Sequence, residues 1–428
     1  MDLFQSAKTA SQESRPTKIK TAWLVPTLIE GSGGHRTILQ NAHFLLETGF
    51  SVVLYLETSS GIDSGKTGKD AIERIFGYAF EDVRVGWDNI SPADAVFATI
   101  WYSALVVRDL NFICKKFYFI QDWEAYFNPL GGTYLFAEQS YRYGLIPITI
   151  GKWLCVKLKS TFNLNARHFD FCADAAIYHP IPTTKRERSI VFICQPEKPR
   201  RCSSLGLQAL SIVHQKHPEV NIIIFGSTQN SRIWFNHQNF GLLSLTECNR
   251  LYNKATLGLC ISSSNPSRVP FEMMAAGLPV VEIHRENTLY DLPETACLLC
   301  DPTPEALAEG MIMLISDEKR CKEMSLAAIK FMAQRRLEYG YQQFADALVE
   351  GMNLPKAAFP YQNHDRIYLS PPITTDLTLA TIHKNRGLSL HSDQRHTYSL
   401  TDRLLKSLGL LVQKLRTRIH KAHERKIS

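Results

Sequence analysis

Short apolar runs recur along the chain, separated by stretches in which apolar positions return every three or four residues. In the first half the runs fall at 22–25, 51–56, 95–99, 117–120 and 146–150, with helical spacing from Arg36 and again near Lys152. Such alternation predicts parallel strands joined by crossover helices. The segment 181–188, with Pro182, Lys185, Arg186, Glu187 and Arg188, interrupts the pattern as a linker does. The theme then repeats: strands at 190–194, 220–225, 257–261 and 280–283, with helices around 205–215, from Thr246 and from Phe271. The expected organisation is a polar, disordered start at 1–18 and a Rossmann-like domain at 19–180. A second Rossmann-like domain follows at 187–353, closed by helices from Pro304 to Asn353, and then an extension at 354–428. The fold class is α/β, with two doubly wound domains facing across a cleft. In open parallel sheets ligands bind beyond the carboxyl ends of the strands, so a cleft between two such sheets is the expected site.

Composition sharpens this picture. At 428 residues, 45% hydrophobic and 21% charged, the chain exceeds what one core serves. It has no run of roughly 18 apolar residues to span a bilayer, and its start lacks the pattern of a secretory leader. Its 10 cysteines sit mostly in apolar stretches, which suits buried thiols in reducing cytoplasm. Cys297 and Cys300 form a C-x-x-C without a second pair at zinc-site spacing, so they are read as core residues. The net charge of +7 is a property of the tail: residues 401–428 hold eight Lys or Arg against Asp402 and Glu424, a net of +6. Leu404, Leu405, Leu408, Leu411, Val412, Leu415 and Ile419 recur there at helical spacing, which predicts a basic amphipathic helix. Two roles fit it equally, peripheral contact with an anionic membrane face and packing against protein. No aromatic residues interleave the charge, which argues against nucleic acid.

Two stretches carry candidate chemistry. Gly31-Ser32-Gly33-Gly34-His35 lies between the first strand and its helix, where absent side chains let backbone amides approach a phosphate. Glu57 stands where a ribose-binding acid of a dinucleotide enzyme would, which keeps a nicotinamide-dependent oxidoreductase open. The loop lacks G-x-G-x-x-G spacing, however. In the second half, residues 262–281 place a loop after a strand, Glu272 in the first turn of a helix, and Gly277-Leu278-Pro279 before the next strand. A carboxylate there can accept both hydroxyls of a ribose while amides of the same helix face phosphates.

Residues 262–281 resemble the nucleotide-sugar motif of glycosyltransferase family 4. More narrowly, the branch typified by the rhamnosyltransferase WsaF is resembled by Gly31 to His35, by Phe119-Ile120-Gln121-Asp122-Trp123-Glu124, by Tyr126-Phe127-Asn128-Pro129, by 137–144 and 150–154, and by Pro196 to Cys202 with Leu205-Gly206. The resemblance spans roughly residues 19–351 and implies the GT-B fold and a retaining transferase building surface polysaccharide. The implied donor is a nucleoside-diphosphate deoxyhexose, foremost dTDP-L-rhamnose, and the acceptor a glycan or lipid-linked glycan. No cofactor or metal is implied. Arg200 and Arg201 match the basic position facing the diphosphate, and Glu272 the second acid of an E-x7-E motif; Ser264 stands where the first acid would be, leaving its work to 265–268. Gln195 stands where relatives carry arginine. The candidate catalytic set is Arg200, Arg201, Asp122 and His35; His35 either touches the donor or caps its own loop, and Asp122 either orients the acceptor hydroxyl or is a solvated strand-end acid. Donor contacts fall to Gly33, Gly34, Pro266, Ser267, Arg268 and Glu272. Tyr118, Trp123, Tyr126, Phe127 and Tyr134 are candidates for stacking on sugars or for core. A sugar-nucleotide-binding module without turnover, and a phosphorylase or epimerase, remain as alternatives.

Overall fold

A computed structural model describes residues 18–228, 233–355 and 359–375. The basic helix expected at 401–428, and the start at 1–17, lie outside the described residues. Among those described, no helix is long and apolar enough to cross a membrane.

The first sheet has seven strands, β1 (Lys20–Val25), β2 (Ser51–Leu56), β3 (Asp82–Val85), β4 (Ala95–Ala98), β5 (Lys115–Ile120), β6 (Ile146–Ile150) and β7 (Arg167–Phe169). All pair in parallel in the order β3-β2-β1-β4-β5-β6-β7. The second sheet has six, β8 (Ser189–Ile193), β9 (Asn221–Phe225), β10 (Gln238–Asn239), β11 (Leu257–Leu259), β12 (Val280–Ile283) and β13 (Cys297–Cys300), in the parallel order β10-β9-β8-β11-β12-β13. Strands β1, β4 and β8 are apolar throughout or nearly so because helices cover both faces of a parallel sheet, so burial leaves no polar side to alternate with. Strands β3, β7, β10 and β13 escape the sequence reading. The first three are short and carry charged or polar residues, and β13 holds the C-x-x-C. Cys297 and Cys300 are buried, unpaired and three places apart on one strand, so they point to opposite faces.

Chain order reverses at β1/β4 in one sheet and at β8/β11 in the other. The loops after those strands therefore splay apart and open a crevice in each domain.

One boundary differs from the sequence reading. The helix Leu337–Asn353, expected to close the second domain, packs on the first: Phe344 lies 5.8 Å from Trp23, 5.5 Å from Phe119 and 5.9 Å from Phe97 between ring centroids. Arg167 of β7 pairs with Glu350, and Lys115 of β5 donates to Leu354 O at 2.7 Å. Amphipathic spacing reports that a helix has a buried face, not which sheet buries it. The segment 359–375 then returns to the second domain, where Tyr368 Oη accepts from Leu299 N and Ile373 bridges to Cys300.

Candidate functional site at the domain cleft

A cleft of about 460 Å³ lies between the carboxyl ends of the two sheets. Its walls come from the loops after β1, β4 and β5 on one side and after β8, β9 and β11 on the other. All ten residues expected as catalytic or donor-binding line it: Gly33, Gly34, His35, Asp122, Arg200, Arg201, Pro266, Ser267, Arg268 and Glu272.

The glycine loop feeds the helix Gly33–Glu47, whose N-cap is Ser32. Ser32 Oγ accepts from His35 N at 3.3 Å and meets His35 Nδ1 at 2.9 Å, while His35 Nε2 reaches Pro26 O at 3.3 Å. Both ring nitrogens are thus held inside the loop. Burial lowers the imidazole's pKa, so the neutral ring donates from Nε2 to Pro26 and accepts on Nδ1. Of the two roles open to His35, these contacts favour the one that holds the loop, since both ring nitrogens have partners within it. The first amides of a helix find no acceptor within it, and Gly33 and Gly34 add no side chain of their own in front of them.

Across the cleft a tight turn at Pro199–Arg201 presents cations. Lys198, Arg200 and Arg201 all line the cavity. Burial first, and then mutual repulsion, holds Lys198 and Arg201 below their ordinary pKa values. Arg201 Nη1 donates to Ser262 Oγ at 3.1 Å, and the Arg200 guanidinium lies 4.5 Å over the ring of Phe127. Such a cluster of partly desolvated positive charge is a site for an anion.

Glu272 sits one turn into the helix Val269–Ala275 and is buried, which pushes its carboxyl up. Arg268 Nε lies 3.6 Å from its Oε1. Arg268 reaches on into the first domain, donating from Nη1 to Gln40 Oε1 at 2.7 Å.

Asp122 is not an open acceptor-orienting acid. Its Oδ1 accepts from Trp123 N (2.8 Å) and Asn265 N (2.9 Å), and its Oδ2 from Ser264 Oγ (3.0 Å), with Arg200 Nε 3.6 Å away. Two of the three bonds come from the facing domain's loop, so the carboxylate is held at the point where that loop carries Ser264. Asn265 completes the join, donating from Nδ2 to Gln121 O at 2.9 Å and Ile150 O at 3.1 Å. Nearby, Asp291 caps the helix Lys152–Phe162 from the other domain, accepting from Lys152 N at 3.0 Å. Gly151, at φ 79°, is obligatory there: a Cβ would lie 2.9 Å from Asp291 Oδ2 and 2.5 Å from Phe171.

Glu124 was missed as a site residue by the sequence reading. It is buried at the cleft wall, with Oε2 accepting from Trp101 N and from Tyr118 Oη. Burial pushes its carboxyl up to about 8. Its place in the Phe119–Glu124 stretch, beside Asp122, was the signal that could have pointed to it. Of the candidate sugar-stacking aromatics, Tyr118 and Trp123 are core and Phe127 faces the cleft. Glu57, the would-be dinucleotide acid, has its Oε2 taken by Thr27 and Tyr102.

Two all-parallel sheets that meet in this way across one cleft have the GT-B fold. Its solved examples include Anabaena HepE in complex with UDP and glucose, matching with a TM-score of 0.60 at 14% identity over 77% of this chain and 99% of that one. They also include a putative UDP-N-acetylglucosamine 2-epimerase from Listeria monocytogenes, with a TM-score of 0.54 at 12% identity over 80% of this chain and 100% of that one. In sequence, residues 188–312 match the family model described as WsaF, C-terminal domain. That match contains Arg200, Arg201, Ser264 and Glu272. The O-antigen biosynthesis protein RfbC of Myxococcus xanthus is 28% identical over 225 residues, 51% of this chain and 18% of that protein. The chain therefore spans under a fifth of that curated relative's length.

Proposed function

We propose that the chain is a glycosyltransferase of surface-polysaccharide assembly. It would move a deoxyhexose, foremost L-rhamnose from dTDP-L-rhamnose, to a glycan or lipid-linked glycan acceptor with retention of anomeric configuration. The observation that carries the reading is the pairing, in one cleft, of a cation cluster with a buried carboxylate: Lys198, Arg200 and Arg201 suit a diphosphate, and Glu272 suits a ribose. The WsaF-type sequence match over 188–312 supports it, as do the UDP and glucose named for HepE.

Breaking a sugar–diphosphate bond builds negative charge on the leaving oxygens, so fixed cations and amides that meet it lower the barrier. The arginines and the Gly33 and Gly34 amides stand on opposite sides of the cavity for that role. Asp122 and Glu124 accept hydrogen bonds from protein donors, and Glu272 is paired with Arg268. This favours a front-face route in which the leaving phosphate takes the acceptor's proton. The setting would be cytoplasmic, with residues 401–428 holding the protein to an anionic membrane carrying the acceptor.

The test is a thermal-shift panel of nucleotide sugars, followed by release of nucleoside diphosphate in the presence of acceptor and NMR assignment of the new anomeric centre. A donor at 100 times its Kd stabilises the fold by about 2.7 kcal/mol. Binding without turnover on any acceptor would favour a non-catalytic nucleotide-sugar module, the reading that Ser264 raises. Loss of sedimentation with anionic vesicles on deleting 401–428 tests the membrane contact.

A further inference from the structure

Cys155 on the helix Lys152–Phe162, His168 on β7 and His364 in the return segment come from three separate pieces of chain. One ligand atom from each nonetheless lies within 4.8 Å of the others. None of the three lines the cleft. Cys155 and His364 are buried and His168 is half-buried, with the two imidazoles edge to face at 4.8 Å between centroids. His168 Nε2 lies 3.7 Å from Asp170 Oδ1, while its Nδ1 is buried with no hydrogen-bond partner. An imidazole with one nitrogen turned to a carboxylate and the other left bare in the interior has the arrangement of a metal-bound histidine. The Cys155 thiol donates to Ala166 O at 3.5 Å and meets Thr149 Oγ1 at 3.2 Å, bonds that zinc would replace on deprotonation.

We infer that Cys155, His168 and His364 form a binding site for Zn2+, with Asp170 orienting His168 and solvent completing the coordination. One thiolate and two imidazoles are a donor set that selects zinc over calcium or magnesium, which take oxygen ligands. The bond lengths of tetrahedral zinc put its ligand atoms roughly 3.3–3.8 Å apart, so the present spacing closes with shifts of about 1 Å. Lys152, Arg167 and Arg335 lie around the histidines and Asp170. These cations oppose a bound cation, so the site depends on the negative charge that the Cys155 thiolate brings.

The placement gives the metal a structural task. The segment 359–375 is irregular, yet it hydrogen-bonds to β13 in the second domain through Tyr368 and Ile373 and reaches the first domain at His364. Zinc would fasten this strap to the helix that Asp291 caps from the second domain, tying both halves together behind the cleft.

The test uses the full chain stripped with a chelator, then titrated with Zn2+ alone and separately with Co2+. The expected result is one equivalent of zinc retained through gel filtration. Cobalt should give the visible bands of tetrahedral coordination and a thiolate charge-transfer band. Cys155→Ser should lose the charge-transfer band and weaken zinc binding by at least roughly 100-fold, and His364→Gln should weaken it by roughly 10- to 100-fold. Cys114→Ser should change neither. His364 lies on an irregular segment, so its variant keeps the test open if Cys155→Ser fails to fold. No zinc retained by the wild type, or a stoichiometry and cobalt spectrum unchanged in the variants, would overturn the site.

Discussion

Asp122 and Ser264 meet across the cleft at 3.0 Å, a carboxylate of the first domain accepting the hydroxyl of a loop in the second. Both are buried, so the bond and its companions to Asn265 N and Trp123 N form away from water. Asp122→Ala would leave three donors without an acceptor. At about 1–3 kcal/mol each, the cost should reach several kcal/mol, read as a large fall in Tm. Ser264→Ala removes one donor and should cost about 1 kcal/mol. A double-mutant cycle should return a coupling of roughly 0.5–3 kcal/mol. Additive losses would show that the two residues do not act together. Ser264→Glu, which restores the acid of the family motif, should destabilise the protein, because it buries a second carboxylate against Asp122.

The cation cluster predicts a split between stability and binding. Arg201 is pressed by Arg200, so Arg201→Ala should leave the nucleotide-free Tm unchanged or raised while weakening nucleoside diphosphate binding. With a donor and acceptor in hand, kcat/KM should fall by roughly 10- to 1000-fold for Arg200→Ala or Arg201→Ala. Wild-type affinity in both variants, measured by calorimetry, would move the diphosphate elsewhere.

Glu272→Gln addresses the ribose. The bond being broken is remote from it, so the substitution should raise donor KM more than it lowers kcat, at about 1–3 kcal/mol of binding. Titration of the nucleoside diphosphate alone into both folded proteins decides the matter, since an unchanged Kd removes Glu272 from the site.

Glu124 predicts a pH dependence. Its carboxyl is raised in the fold to about 8 from an ordinary value near 4.5. Below about 4.5 both folded and unfolded chains hold the proton and no penalty exists. Between about 4.5 and 8 the unfolded chain releases it while the folded one keeps it, so stability falls as pH rises, by a few kcal/mol in order of magnitude. Glu282, raised by burial to about 7, acts with the same sign. Glu124→Gln keeps an oxygen for Trp101 N and Tyr118 Oη and should flatten the decline, most visibly as a higher Tm than wild type at pH 8. Parallel Tm profiles for the two proteins across that range would show that Glu124 does not titrate there.

The apolar runs at β1, β2, β4, β5, β6, β8, β9, β11 and β12 determined by themselves that two parallel sheets form, because a strand buried on both faces must be apolar along its length. The local motifs likewise placed the loops that line the cleft, since a glycine turn before a helix and a basic turn after a strand are set by neighbouring residues. What sequence could not decide is what each polar atom meets. His35 and Asp122 look available for chemistry in a linear motif, yet Ser32 and Pro26 occupy one, and Ser264 and Asn265, more than 140 residues away, occupy the other. The helix Leu337–Asn353 has an amphipathic face that fits either sheet, and only the surface left open by β1, β5 and β7 assigned it to the first. Cys155, His168 and His364 carry no recognisable spacing, because their proximity arises from three segments brought together by packing. Local spacing records which residues a short stretch presents; the partners that satisfy or free their polar groups are chosen by contacts distant along the chain.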